Sequence, residues 1–360
     1  MIKRRKTRTV KVGKVKIGSG HPVSVQSMAK TDTVNIRATA AQIRELEAAG
    51  CEIVRVAVKT PEAARAIKEI KKEISIPIVA DIHFDPALAI ESVVAGADKI
   101  RLNPGNMKDA GGINDVIAAC RDRGLPIRIG ANSGSLTEMA RGKGSPAKAM
   151  VSALIKYIEP FRRKRFGDIV ISLKASDVMT TVDAYRIMAR ECDYPFHVGV
   201  TATGLPEDGI VSSSIGIGAL LLDGIGDTIR VSLTGDPIQE IPAARRILSS
   251  AGVRSFGHRV IACPTCGRCR VDLAEITAHL KKELESIQRS DERAQGSGCR
   301  GLLIAVMGCE VNGPGEAKSA DMGVAFGKDK GAIFSHGRII KTVKSKDAVR
   351  ELVKMVVSEQ

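Results

Sequence analysis

The chain has 360 residues, of which 44% are hydrophobic and 26% charged, a composition typical of a globular protein with ample material for a core. Aromatic residues make up only 3% and tryptophan is absent, which argues against a stacking surface for single-stranded nucleic acid. No apolar run reaches the length of a membrane span and the N-terminus lacks the apolar stretch of a secretory signal, so we predict a cytoplasmic protein.

The net charge of +15 is concentrated at the N-terminus, where residues 1–16 hold eight Lys or Arg and no acid. Such a block indicates either an arm that binds nucleic acid or a membrane, or a solvated strand or tail. Residues 9–16 alternate apolar and basic side chains, as an exposed strand does. We therefore predict the strand or tail.

Short apolar, β-branched segments alternate with helical patterns through the first 250 residues. The eight predicted strand segments are residues 22–28, 53–58, 77–82, 99–104, 126–132, 168–176, 195–201 and 228–235. Helical patterns such as residues 37–49, ended by Gly50, lie between them, which predicts parallel strands with right-handed crossovers. Eight such units predict a (β/α)₈ barrel of the TIM type. The alternative, a doubly wound sheet, would need a glycine-rich phosphate loop after the first strand, and the sequence has none.

The pattern changes after the barrel segment, for which we predict the bounds 1–255. Cysteine-rich turns are followed by a predicted helix at 273–287, an apolar strand at 302–307 and a closing helix at 346–357. We predict that residues 256–360 form a small, separate α+β domain.

Polar and mostly basic residues occupy the ends of the predicted barrel strands, where barrel enzymes place their active sites. They are Arg55, Asp81, His83, Arg101, Asn103, Arg128, Asn132, Lys174, His197, Arg230 and Ser232. Converging guanidinium groups require an anion to offset their repulsion, and their geometry matches phosphate oxygens. The alternative is that each is an ordinary strand-end charge paired with a loop acid. Basic residues on five separate strands favour an anionic substrate with more than one phosphate.

Five of the eight cysteines crowd into residues 263–309, whereas Cys51, Cys120 and Cys192 are predicted packing residues. Cys263 and Cys266 have a metal-type CxxC spacing. Zinc is one candidate metal, but four-thiolate zinc sites usually use two CxxC pairs, and here the second half offers a lone Cys309.

A turn at residues 312–315 can bring Glu316 towards Cys309. Three thiolates and one carboxylate suit a 4Fe-4S cluster, because a weakly held carboxylate leaves one iron able to bind a substrate oxygen. We therefore predict Cys263, Cys266, Cys309 and Glu316 as the metal ligands. Cys269 would extend a ferredoxin-like run of cysteines, but the rest of that motif is missing, so we rank Cys309 above it.

The sequence resembles a specific family, the 4-hydroxy-3-methylbut-2-enyl diphosphate synthases of the non-mevalonate isoprenoid pathway in their two-domain bacterial form. The resemblance covers nearly the whole chain. Its motifs lie at residues 25–33, 80–84, 100–105, 128–136, 172–176, 224–233, 262–268 and 308–317.

The resemblance implies an oxidoreductase that opens and reductively dehydroxylates 2-C-methyl-D-erythritol 2,4-cyclodiphosphate, with two electrons delivered singly by flavodoxin or ferredoxin. It implies a homodimer in which the cluster domain of one subunit caps the barrel of the other. The implied substrate-binding residues are Arg55, Arg101, Asn103, Arg128, Asn132, Lys174, Arg230 and Ser232. The cluster ligands are those predicted above, and we expect Glu316, His83 and Asp81 to take part in catalysis.

The chain departs from the family pattern after the seventh strand. The family is expected to read His-x-Gly-x-Thr-Glu-Ala-Gly, but residues 197–204 carry Ala202 in place of the Glu. The proton donor is therefore open, with Glu207 and Asp208 as nearby acids. Two other functions are weighed against this one: a barrel aldolase with Lys174 as its Schiff-base residue and a structural zinc, and a nucleic-acid-binding protein.

Overall fold

The computed structural model describes residues 2–103, 110–132, 145–201, 203–290, 301–310 and 317–359. It separates into two units, Met1–Arg254 and Ser255–Gln360. Within the described residues, no helix combines the length and the apolar character that crossing a membrane requires.

The first unit is built on eight parallel strands that follow a short N-terminal hairpin. The hairpin strands are β1 (Val10–Val12) and β2 (Val15–Ile17), and the parallel strands are β3 (Ser24–Met28), β4 (Ile53–Val58), β5 (Ile78–Ile82), β6 (Lys99–Leu102), β7 (Ile127–Asn132), β8 (Ile169–Lys174), β9 (His197–Val198) and β10 (Thr228–Ile229). Their order in the sheet is β8-β7-β6-β5-β4-β3-β10-β9. A parallel bridge between Ile171 and Phe196 joins the two edges. The predicted (β/α)₈ barrel is confirmed.

Among the residues that the structure describes, eight α-helices connect the strands and cover the outside of the barrel. They are α1 (Ile36–Ala48), α2 (Pro61–Ile70), α3 (Pro86–Val94), α4 (Ala110–Asp122), α5 (Pro146–Arg163), α6 (Val178–Glu191), α7 (Pro206–Leu222) and α8 (Glu240–Ser250). Side chains at the N-termini of three of these helices, Asn35, Thr60 and Asp177, accept hydrogen bonds from backbone N–H groups of the first turn. Gly50, with φ of +98°, follows the end of α1 as predicted.

The hairpin closes the N-terminal end of the barrel. Val12 and Ile17 are fully buried against Ile53 and Val79 of β4 and β5. Lysines alternate with these apolar residues and are exposed, as the sequence pattern predicts for this segment. The hairpin therefore keeps water away from the lower end of the barrel interior.

Arginines of the N-terminal basic block bind the last strands of the barrel. Arg4 forms an ion pair with the buried Asp227 at 3.0 Å. Arg5 donates hydrogen bonds to the carbonyl oxygens of Cys192 and Tyr194, and its guanidinium lies 4.0 Å from the ring centroid of Phe196. These contacts hold the segment that leads into β9, where a single bridge joins it to β8.

We expect Arg5→Met to destabilise the barrel by about 2 kcal/mol, because two charge-assisted hydrogen bonds and a cation–π contact are lost where the edges of the sheet meet. Lys6→Met removes the same charge from an exposed neighbouring position and serves as the control. Urea unfolding of both variants measures the difference. Equal stability of the two variants would show that Arg5 does not stabilise the segment that leads into β9.

In the part of the second unit that the structure describes, there are a five-stranded sheet and two helices. The elements are β11 (Arg259–Ala262), α9 (Leu273–Ser290), β12 (Leu303–Met307), β13 (Met322–Phe326), β14 (Lys330–Ser335), β15 (Arg338–Lys344) and α10 (Ala348–Ser358). The first three strands are parallel and the last two antiparallel. Leu280, Val306, Phe326 and Leu352 lie in its core.

The sequence predicted the two helices and β12 of this unit but not β11 or β13 to β15. The segment between β12 and the closing helix is rich in glycine, but Gly323 lies inside β13. A Cβ on Gly323 would lie 2.3 Å from the Ala305 carbonyl oxygen. The glycine is needed for close approach between strands, not for a loop.

Candidate functional site

The barrel interior is lined mainly by polar side chains instead of the branched apolar side chains that usually fill such barrels. Residues paired across neighbouring parallel strands lie on the same face of the sheet. Asp81 pairs with Arg101, Arg101 with Arg128, and Met28 with Arg55. Because side chains alternate along a strand, the polar residues on the inner face are Ser24, Gln26, Arg55, Asp81, Lys99, Arg101, Arg128, Ser172, Lys174, His197, Thr228 and Arg230.

Asp81 is the centre of a hydrogen-bonded cluster at the C-terminal ends of the barrel strands, which we call the barrel mouth. Arg101 Nη1 donates to Asp81 Oδ1 at 2.8 Å and lies 3.1 Å from His83 Nε2. Arg55 Nε and His83 Nε2 lie 3.5 and 3.6 Å from Asp81 Oδ2. Burial opposes ionisation of Asp81, but the Arg55 charge, the His83 hydrogen bond and the Arg101 charge outweigh it and lower its pKa below the usual range. The carboxylate is therefore ionised and holds both guanidinium groups.

A second carboxylate, Glu240, holds Arg230. Arg230 donates from Nε and Nη2 to the two Glu240 oxygens, each at 3.1 Å, and Ser27 Oγ donates to Glu240 Oε2 at 2.8 Å. Glu240 is fully buried at the start of α8. We did not predict it from the sequence, because it lies in a helix and not at a strand end.

Lys174 and His197 form a buried pair on β8 and β9. Lys174 Nζ lies 3.4 Å from His197 Nε2, and a Cβ on Gly199 would lie 2.8 Å from the same Nζ. Burial lowers the pKa of both groups, and Arg128 lowers them further. The imidazole is therefore neutral, and the amine is biased towards its neutral form until an anion binds it.

Six cations among the described inner-face residues are accompanied by two carboxylates, one of them on the inner face and one on an adjoining helix. The cations are Arg55, Lys99, Arg101, Arg128, Lys174 and Arg230, and the carboxylates are Asp81 and Glu240 of the adjoining helix. Burial lowers the pKa of Arg55 to about 10, and it lowers the pKa of Lys99 and Arg128 well below their ordinary values. Concentrated positive charge in a place with little water favours binding of an anion.

The remaining predicted mouth residues are placed less completely. Asn103 is buried one position beyond β6, and within the described residues its Oδ1 has no hydrogen-bond partner. Ser232 is half-buried, and its carbonyl oxygen accepts a hydrogen bond from Thr203 Oγ1. Asn132 pairs with Lys174 in the sheet, but its side chain lies outside the described residues, as do Glu316 and Ala202.

Asp81→Asn is expected to destabilise the barrel by about 3–5 kcal/mol at pH 7, because it leaves Arg55 and Arg101 buried without their carboxylate. The pKa of Asp81 is lower in the folded state than its unfolded value near 4. The ionised carboxylate therefore stabilises the fold fully above the unfolded pKa, and this stabilisation is lost progressively as pH falls from the unfolded pKa towards the folded pKa. The difference in unfolding free energy between wild type and Asp81→Asn should therefore shrink between about pH 5 and pH 3. Urea unfolding across this range tests it, and a constant difference would contradict it.

The second unit brings two cysteine segments together at the ends of parallel strands. Cys263 follows β11 and Cys309 follows β12. The N–H of Cys263 donates to the Val306 carbonyl at 3.3 Å, and the N–H of Gly308 donates to Cys263 Sγ at 3.4 Å. Cys309 is buried and Cys263 half-buried, whereas Cys266 is exposed in a turn. Amide donation to a thiolate sulfur is a common feature of iron–sulfur sites, so this donor set fits such a group.

Cys269 also lies near the Gly308 segment. A Cβ on Gly308 would lie 2.4 Å from Cys269 Sγ, and Cys269 Sγ donates to the Val271 carbonyl at 3.2 Å. In the described part of the chain, no three Cys, His, Asp or Glu side chains form a group that could hold a metal ion. Glu316 lies outside that part.

Two family models together match most of the chain. The GcpE TIM-barrel domain matches residues 7–245, and the GcpE protein C-terminal domain matches residues 259–358.

Curated relatives match over the full length. A protein of Thermodesulfovibrio yellowstonii is 51% identical over 99% of this chain and 99% of its own, and one of Caldanaerobacter subterraneus subsp. tengcongensis is 48% identical over 99% and 98%. Both relatives are named 4-hydroxy-3-methylbut-2-en-1-yl diphosphate synthase (flavodoxin). Among solved structures, dihydropteroate synthase from Stenotrophomonas maltophilia is 14% identical with a TM-score of 0.52, covering 69% of this chain and 100% of its own. That likeness shows the barrel fold alone.

Proposed function

The chain belongs to the GcpE family, and on this basis we propose that it converts 2-C-methyl-D-erythritol 2,4-cyclodiphosphate to 4-hydroxy-3-methylbut-2-enyl diphosphate. It is an oxidoreductase. The reaction opens the cyclic diphosphate, consumes two electrons and two protons, and releases one oxygen as water. The observation that carries the proposal is the excess of positive charge in the barrel interior, where six cations are accompanied by two carboxylates. This excess favours a ligand with several negative charges.

The barrel mouth binds the diphosphate in this proposal. Arg101 and Arg230 are held by Asp81 and Glu240, so their remaining N–H groups are oriented before the ligand arrives. The residues that we assign to the phosphoryl oxygens and neighbouring hydroxyls are Arg55, Arg101, Asn103, Arg128, Asn132, Lys174, Arg230 and Ser232.

His83 is the group that we assign to proton transfer at the mouth. Its Nε2 lies beside Asp81 Oδ2 and Arg101 Nη1, and its side chain is about half exposed. Asp81 thus orients the imidazole while remaining ionised. The chain has Ala202 at the position where the family is expected to have a Glu. Proton transfer therefore depends more on His83 and on Glu316 in this chain.

The second unit holds a 4Fe-4S cluster in this proposal, with Cys263, Cys266, Cys309 and Glu316 as ligands. When bound, the cluster supplies electrons one at a time together with a Lewis-acidic iron. Support comes from the contact between the cysteine segments that follow β11 and β12, in which the Gly308 N–H donates to Cys263 Sγ. We propose flavodoxin or ferredoxin as the electron donor, in line with the relatives' name.

Anaerobic turnover of the cyclodiphosphate with a one-electron reductant tests the proposed function. The protein purified without air should be brown, should absorb near 400 nm and should contain about four irons and four sulfides per chain. A colourless protein with one zinc would instead support the aldolase. In that case borohydride should trap a carbonyl substrate on Lys174.

We also propose a homodimer whose active site is shared between subunits. Mixing Arg128→Ala subunits with Cys309→Ala subunits should then restore roughly a quarter to a half of the wild-type turnover per heterodimer, since one of the two shared sites is intact. Each variant alone is the control. Absence of recovery in purified heterodimers would show that each subunit works alone.

A further inference from the structure

The lower part of the barrel interior contains buried polar atoms that no described residue satisfies. We use the term barrel floor for the inner-face residues Ser24, Gln26, Lys99, His197 and Thr228. Lys99 and His197 are fully buried, and Ser24 and Gln26 nearly so. Lys99 Nζ, His197 Nδ1, Ser24 Oγ and both polar atoms of the Gln26 amide lack hydrogen-bond partners within the described residues. Buried polar groups are normally satisfied by protein, water or an ion, so this concentration requires a ligand.

Water cannot reach Lys99 from below. Lys99 pairs with Val79 across β5 and β6, and Val79 packs with Ile53, Val12 and Ile17 in the apolar plug of the N-terminal hairpin. From above, the floor meets Arg128, whose Nε and Nη1 also lack partners within the described residues. Arg128 is the cation that contributes most to lowering the pKa of Lys99. Both residues therefore keep buried donors that no described residue satisfies.

The electrostatics of the floor favour an anion over water alone. The two carboxylates nearest to it are committed elsewhere, Asp81 to Arg55 and Arg101, and Glu240 to Arg230. Within the described residues neither Lys99 nor Arg128 forms an ion pair with a carboxylate, and Asp81 affects Arg128 only through its charge at longer range. The Gln26 amide, also buried on the inner face without a partner in the described residues, adds a neutral donor to the floor. Two buried cations without a carboxylate destabilise each other unless an anion lies between them or one loses its proton.

We propose that the barrel floor is an internal binding site for a small inorganic anion such as chloride, bound by Lys99 Nζ, Arg128 and the Gln26 amide. The site lies beneath the other mouth residues and shares Arg128 with them, but its test does not depend on the proposed reaction. An anion there supplies the charge that Lys99 and Arg128 lack and holds the Arg128 side chain from below. Its occupancy also keeps Lys99 protonated at neutral pH.

Bromide is the probe, because it replaces chloride and scatters X-rays anomalously. We compare the melting temperature of the full chain in sodium bromide and in sodium gluconate at equal ionic strength. Wild type and the exposed control Lys11→Met should melt about 3 °C or more higher in bromide. Lys99→Met should lose this bromide effect. An equal bromide effect in Lys99→Met would place the anion at the mouth and overturn the proposal, as would no effect in wild type.

Crystals of the wild-type chain grown in bromide give a test that needs no variant. An anomalous peak within hydrogen-bonding distance of Lys99 Nζ is expected, and it should persist when pyrophosphate occupies the mouth. A peak only above Arg128, or one that pyrophosphate displaces, would mean that the floor belongs to the mouth's own ligand. A floor filled with water and without a peak would overturn the proposal as well.

Discussion

Replacing Cys309, one of the proposed ligands, by Ser is expected to remove the proposed iron–sulfur cluster and nearly all turnover. Partners that only orient a metal ligand contribute about 10–100-fold to metal affinity or activity, so losing a thiolate ligand itself should lower turnover by more than about 100-fold. Cys309 is buried beside Gly308, whose N–H donates to Cys263 Sγ, so the change affects both cysteine segments. Anaerobic purification followed by iron and sulfide analysis and absorbance near 400 nm measures the loss.

Cys269→Ser is the matched control, because the same atom is exchanged in the same unit. Cys269 Sγ is engaged with the Val271 carbonyl, and the side chain packs against the core of the second unit. We expect Cys269→Ser to retain its cluster and most of its turnover. If Cys269→Ser lost the cluster and Cys309→Ser kept it, the ligand assignment would be wrong and Cys269 would replace Cys309 as the third thiolate.

The barrel mouth was largely predictable from the sequence because strand periodicity and strand ends carry the information. Arg55, Asp81, Arg101 and Arg128 lie in short β-branched segments, and alternation fixes which of their neighbours share a face. The (β/α)₈ barrel followed from counting such segments. What the pattern could not give was the register, and the register brings Asp81 opposite Arg101.

Two residues of the site were missed for physical reasons. Glu240 begins a helix ten residues after Arg230, and only the fold of the intervening turn brings the two together. Lys99 opens a predicted strand, where a lysine is usually solvated, but the barrel places it on the enclosed inner face. Lys99 lies two residues before Arg101 in the same strand. Because side chains two apart share a face, alternation alone would have placed Lys99 on the inner face with Arg101.

Arg128→Met is expected to change ligand binding and stability in opposite directions. In gluconate buffer, without chloride or substrate, Arg128 is a buried cation near Arg55 and Arg101 with unsatisfied nitrogens, so replacing it by an apolar side chain of similar length should stabilise the barrel by about 1–3 kcal/mol. The same change removes charge-assisted hydrogen bonds to phosphoryl oxygens, so affinity for pyrophosphate should fall by roughly 10²–10³-fold. Urea unfolding and calorimetric titration measure the two effects on one preparation.

Arg123→Met removes the same charge from an exposed turn before β7 and is the control for both measurements. It should leave pyrophosphate affinity within about threefold of wild type and stability within about 0.5 kcal/mol. If Arg128→Met were destabilised without ligand, Arg128 would be a structural residue with satisfied hydrogen bonds, and the cationic interior would not be poised for an anion. Higher stability together with lower pyrophosphate affinity would instead show that the Arg128 charge lowers the stability of the ligand-free barrel and is needed for ligand binding. Functional sites commonly show this trade-off between stability and function.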